Sequence, residues 1–121
     1  FDDLSAAVAY ITSGGLHELS ETLKHSFDLE DGGKAKRWLT SFDYLRTEPI
    51  ALEALIAFPA TEVRIHDPEP ALAHKGMPSV PFHPKAYLFR KNPNLEYALA
   101  GSGNLSRSGI WVSIGLIPAQ T

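Results

Sequence analysis

From Leu4 to His66 the chain alternates between strand-like apolar runs and helix-like apolar stripes, a pattern that few folds accommodate. Leu4–Thr12 is apolar and by periodicity alone fits either a helix or a buried strand. Its β-rich end, Val8 to Thr12, followed by Ser13-Gly14-Gly15, predicts a buried strand stopped by a glycine turn. Leu16, Leu19 and Leu23 then recur at helical spacing, with Glu18 and Glu21 early and Lys24 last. That charge order suits the helix dipole and predicts a helix over Leu16–Lys24. Asp28–Lys34 is a polar, glycine-containing loop, and Lys36–Phe42 reads as a second strand with Asp43 at its carboxyl end. Thr47–Ala57 predicts a second helix: Thr47 suits the N-cap, Pro49 the first turn, and Leu52, Leu55 and Ile56 form an apolar stripe. Thr61–His66 alternates and reads as a third strand.

Strand, helix, strand, helix, strand implies parallel strands joined by crossovers. Asp67–Pro81 holds four prolines and Gly76, and is expected to be an irregular loop overhanging the strand ends. Phe82–Arg90 and Leu95–Gly101 read as two further strands joined by the turn-rich Lys91–Asn94, an antiparallel hairpin added to the sheet. Ile110–Ile117 is apolar enough for one more strand. The expected architecture is an α/β fold: a mixed, mostly parallel sheet flanked by helices, with the C-terminal hairpin carrying the functional groups.

The 121 residues, 44% hydrophobic and 21% charged, suit a single globular domain with one core. The chain opens on Phe1 rather than Met and is expected to belong to a longer protein. Without cysteine it has no disulfide, thiolate metal site or cysteine nucleophile. With no apolar leader or membrane-length run either, a cytoplasmic setting away from membranes is expected. The net charge of −3 is unevenly spread. His83 to Ser108 carries four cations (Lys85, Arg90, Lys91, Arg107) against Glu96, so the remainder carries −6. A basic region on an acidic body suits a site for a phosphate better than a broad nucleic-acid-coating surface.

Two polar clusters lie on the hairpin. His83 and Lys85 are two apart and share a face if the strand is regular. An ammonium near an imidazole disfavours the imidazolium and leaves a lone pair free to attack phosphorus. Pro84 between them removes a ladder donor, which argues for an edge position or a local irregularity. Gly101-Ser102-Gly103-Asn104 offers close backbone approach at its glycines and hydrogen bonds from Ser102 and Asn104. Ser106 reads most simply as a helix cap, Asp43 most simply as a solvated acid at a loop start that can also line the cleft, and Tyr10 as a ring that can stack on a base. His66 and His74 have no partners at metal-ligand spacing.

Phe82-His83-Pro84-Lys85 followed by Gly101-Ser102-x-Asn104-Leu105-Ser106 resembles the HxK…GSxN(x)S/T signature of the phospholipase D-like superfamily. The nuclease-type branch, with its metal-independent restriction endonucleases and helicase-associated domains, is the closest in flavour. Ala9-Tyr10-Ile11-x-Ser13-x-Gly15-Leu16 and Thr47-x-Pro49-x-Ala51-Leu52 fit the same layout, so the likeness spans nearly the whole chain. It implies a phosphohistidine mechanism without metal or other cofactor. His83 would be nucleophile or acid, Lys85 and Asn104 would stabilise phosphoryl charge, and Lys85, Ser102, Gly103 and Asn104 would bind phosphate.

Three departures shape the expectation. The family needs two HxK copies per site and this chain has one, so the second must come from a homodimer partner or another phospholipase D-like half. The aspartate of the fuller pattern is absent, its place taken by Arg90 or Asn94 depending on the end counted from. The usual Asn-x-Glu is replaced by Ser113-Ile114-Gly115. The first expectation is therefore a metal-independent endonuclease acting on DNA. The alternative is a catalytically weakened module that binds phosphate or nucleic acid for a fused helicase or nuclease. A phospholipase ranks lower, because no amphipathic interfacial helix is visible.

Overall fold

A computed structural model describes residues 1–91, 94–100 and 115–118. Its strands are β1 (Asp3–Val8), β2 (Ala35–Thr40), β3 (Thr61–Ile65), β4 (Lys85–Lys91), β5 (Asn94–Ala100) and β6 (Gly115–Pro118). The helices are α1 (Ser13–Leu23), α2 (Pro49–Ala57) and α3 (Pro68–Ala73). The strands form one sheet in the order β3-β2-β1-β4-β5-β6.

The expected β1-α1-β2-α2-β3 succession is present, and β1–β2 and β2–β3 pair in parallel. The sheet as a whole is not mostly parallel. Among the described strands β1–β4, β4–β5 and β5–β6 are all antiparallel. The connections explain the difference. A helical crossover returns the chain to the edge where the previous strand began, giving parallel neighbours. The link from β3 to β4 stays at the carboxyl edge, so β4 enters the sheet reversed.

Side chains alternate across this sheet. Leu4, Ala6 and Val8 of β1, Trp38 of β2, and Tyr87 and Phe89 of β4 are buried on one face, packed with Leu16 and Leu19 of α1 and Ala51 and Leu55 of α2. On the opposite face Ser5, Ala7, Arg37, Leu39, Ala86 and Leu88 are half-buried. Among the described residues the sheet is thus covered by helices on one side, where helices on both faces were expected. The uncovered side carries a shallow depression of about 400 Å³ lined by Ser5, Arg37, Leu39, Glu62 and Arg64.

Three local readings change. Ser13-Gly14-Gly15 is the first turn of α1 rather than a glycine turn, because the Thr12 hydroxyl accepts the Gly15 N–H at 3.1 Å and caps the helix there. Thr47 does not cap α2: Glu48 takes that place, and the Thr47 hydroxyl accepts the Ile11 N–H at 3.2 Å. Part of the proline-rich stretch is helical. Pro68 and Pro70 fall in the first turn of α3, where an N–H has no intrahelical partner to lose.

At the amino edge of the sheet, fully buried Lys36 donates from Nζ to the carbonyls of Asp31 at 2.9 Å and Pro59 at 2.6 Å. Burial pushes its pKa below the usual lysine value, against the pull of Asp31, Asp28 and Glu30. At the carboxyl edge α3 and the residues after it pack against the short turn Asp43–Leu45. Tyr44 N–H donates to the Gly76 carbonyl at 2.5 Å. Gly76 has φ +90°, and a Cβ there would lie 3.0 Å from the Tyr44 backbone and from Leu45 Cγ. Gly76→Ala is therefore expected to cost about 1–3 kcal/mol, read as a lower urea midpoint at unchanged m-value. Among the described residues no helix is long and apolar enough to cross a membrane.

Candidate functional site

The carboxyl ends of β1, β2 and β3 and the start of β4 lie on one edge of the sheet, since β4 is the reversed strand. Val8 pairs with Lys85, and β5 brings its own carboxyl end, Ala100, opposite Ala86 on the same edge. Tyr10, Asp43, His83 and Lys85 gather here.

His83 is not part of a strand. Pro84 has no N–H to give, so the ladder starts at Lys85, three residues later than expected. β4 is a central strand, which makes Pro84 a strand-start irregularity rather than an edge marker. The backbone around His83 is nevertheless held from both sides. Phe82 N–H donates to Asp43 Oδ2 at 2.8 Å, and the Pro84 carbonyl accepts the Ala9 N–H at 3.0 Å. These two ties are themselves joined. Asp43 N–H donates to Ser41 Oγ at 3.2 Å, and the Ser41 hydroxyl donates to the Ala9 carbonyl at 2.9 Å. Four hydrogen bonds thus link Phe82, Asp43, Ser41, Ala9 and Pro84 around an exposed His83. The His66 ring stacks on Phe82 at 4.6 Å and 17°, bracing the same segment.

Asp43 is only 1% exposed, so it is a structural acceptor inside the edge and not a solvated acid lining a cleft. Lys85 is half-buried and its Nζ donates to the His83 carbonyl at 2.9 Å, which keeps the ammonium beside the histidine it follows. Tyr10 is 9% exposed and covered by its neighbours. The Tyr44 ring meets it edge-on at 6.4 Å, and the Arg46 guanidinium lies over it at 5.6 Å. Burial pushes the Tyr10 phenol pKa up, with the Arg46 cation opposing. A ring so enclosed has no face free for a base, contrary to the sequence reading.

Ser102, Gly103, Asn104 and Ser106 lie outside the described residues, as does most of Ile110–Ile117, whose end overlaps β6. Among the described residues no three His, Asp or Glu side chains gather closely enough to hold a metal ion. Four participants escaped the sequence reading: Ser41, Tyr44, Arg46 and the His66–Phe82 stack. Tyr44 and Leu45 take left-handed backbone, φ 57° and 53°, which no local residue pattern signals for a tyrosine and a leucine.

No protein-family model matches the chain, and no curated protein matches it significantly.

Proposed function

We propose that this α/β domain is a metal-independent phosphodiesterase of the phospholipase D-like type, an endonuclease acting on DNA. The observation that carries the reading is the hydrogen-bonded bracket around His83, which leaves the backbone fixed and the imidazole exposed beside Lys85. Preorganised placement of this kind is what nucleophilic and acid–base catalysis require.

The reaction runs in two displacements. An imidazole nitrogen attacks phosphorus, forming a P–N bond as the P–O bond to the leaving strand breaks. A second histidine gives its proton to the departing oxygen. Water then attacks phosphorus, passes a proton to that second histidine, and the P–N bond breaks to release the phosphate monoester end. Lys85 by its charge and Asn104 by its amide N–H donors stabilise the charge on the non-bridging oxygens, and Ser102 and Gly103 cradle the phosphate. The second histidine comes from the HxK of another copy or of a second phospholipase D-like half. Exposed Leu45, Met77 and Val80, on the turn and the segment against it, offer apolar surface near the edge where a second copy would meet the first. A cytoplasmic nuclease fits this chemistry.

Hydrolysis of plasmid DNA in excess EDTA, with rate per protomer followed against protein concentration, tests the reading. Turnover that survives EDTA and rises with dimerisation is expected; no turnover in any assembly state would sink it. The second reading, a module that binds phosphate without cleaving it, draws on Ser113-Ile114-Gly115 standing where an Asn-x-Glu is usual. DNA binding without any turnover would favour it. Cleavage of phosphatidylcholine vesicles in preference to DNA would favour the phospholipase.

A further inference from the structure

Arg46 follows the strained Asp43–Leu45 turn and is exposed. A guanidinium stacked on an aromatic face is oriented by the ring while its five N–H donors, at the rim of its own plane, remain free. The Arg46 guanidinium carbon lies over the Tyr10 ring, 5.6 Å from its centroid. Other cations are committed: Arg37 pairs with Asp3 at 3.2 Å and Arg64 with Glu62 at 2.7 Å. Among the described residues Arg46 has no carboxylate within 4.0 Å. The acids closest in sequence are engaged, Asp43 with Phe82 N–H and Glu48 with Ser13 N–H at 2.6 Å. Tyr10, the ring beneath Arg46, directly follows Ala9, whose N–H holds the Pro84 carbonyl. Arg46 N–H also donates to the Asp43 carbonyl, and the Asp43 side chain holds Phe82, so this cation belongs to the same carboxyl edge as His83 and Lys85.

We infer that Arg46, seated on Tyr10, is a second phosphate subsite, which holds the phosphodiester adjacent to the one at His83. The inference rests on the phosphodiesterase reading and adds to it a position for the neighbouring phosphate of the strand. Two phosphate positions side by side suit a polynucleotide strand, whereas a phospholipid offers a single phosphodiester. The guanidinium fork matches the paired non-bridging oxygens of such a phosphate.

The test uses the whole protein, its Arg46→Ala and Arg46→Lys variants, and two probes. The first is a fluorescein-labelled single-stranded DNA oligonucleotide, whose binding is followed by anisotropy across a salt series. Arg46→Ala is expected to weaken binding about tenfold and to reduce the salt slope by about one phosphate contact. Arg46→Lys should keep most of the slope and lose part of the affinity, since an ammonium keeps the charge but not the fork. The second probe is bis(4-nitrophenyl) phosphate, which has one phosphodiester and nothing to fill a second position. Arg46→Ala should lower its hydrolysis by much less than it lowers oligonucleotide affinity. Unchanged oligonucleotide affinity and slope in Arg46→Ala would overturn the subsite. So would equal loss on both probes, which would assign Arg46 to the scissile phosphate. An Arg46-dependent slope without hydrolysis of either probe by the wild type would overturn the catalytic reading and leave the subsite standing. The residue is exposed, so matched thermal midpoints should accompany every comparison.

Discussion

Replacing His83 by alanine is expected to lower DNA hydrolysis on the order of 10³-fold or more, with the unfolding midpoint unchanged. The imidazole is exposed and takes part in none of the hydrogen bonds of its bracket, which are all made by neighbouring backbone and by Asp43 and Ser41. Its loss should therefore remove chemistry without loosening the fold. The same variant separates two roles. If His83 only protonates the leaving oxygen, an ester with a 4-nitrophenolate leaving group needs no proton and should keep most of its rate in His83→Ala. If His83 forms the P–N bond, both substrates fall together. In a symmetric dimer each copy supplies one role, and the loss on both substrates is complete. Equal rates of DNA cleavage for the wild type and His83→Ala would remove His83 from the reaction.

Asp43→Ala is expected to act on both stability and rate. The carboxylate is buried and accepts an N–H from a residue 39 positions away, so alanine leaves the Phe82 donor without its acceptor and opens a void. A hydrogen bond to a charged acceptor at such a site contributes about 1.5–3 kcal/mol, and a loss of that size should appear in the urea midpoint. Because the bond fixes the residue before His83, the rate should fall further than the folded fraction does. A displacement of the reacting group by about 1 Å can cost on the order of 10²-fold. Asp43→Asn places an amide oxygen where Oδ2 stood and is expected to recover most of both losses. Amide exchange at Phe82 gives a readout independent of activity: it should accelerate in Asp43→Ala and return toward the wild-type rate in Asp43→Asn. Wild-type protection of Phe82 in Asp43→Ala would show that the bracket does not depend on this carboxylate.

The parts of this molecule that were legible in its residues are those with a local period or a local cap. Leu16 and Leu19 lie on the buried side of α1, and Leu4 and Val8 of β1 and Trp38 of β2 are in the core, whereas of the stripe expected in α2 Leu55 is buried and Ile56 is exposed. The strand after Pro84 was legible as well, although it begins at Lys85 and leaves His83 outside it. Misreadings arose where one residue type can serve two local structures. Gly14 and Gly15 suit a turn as readily as a capped first helical turn, and the Thr12 hydroxyl decides between them. Pro68 and Pro70 bar the middle of a helix and suit its beginning.

What the sequence determined by itself is the alternation of elements, the buried face of α1 and the types of group at the candidate site, because these depend on residues within a few positions of one another. The tertiary structure alone decided the rest. The link from β3 to β4 remains at the carboxyl edge, which reverses β4 and makes the sheet more antiparallel than parallel. Asp43 turns inward to hold Phe82, and Tyr10 is enclosed by Tyr44 and Arg46. Each of these depends on the path of the connecting chain and on contacts between residues far apart in sequence. Local periodicity carries no record of either.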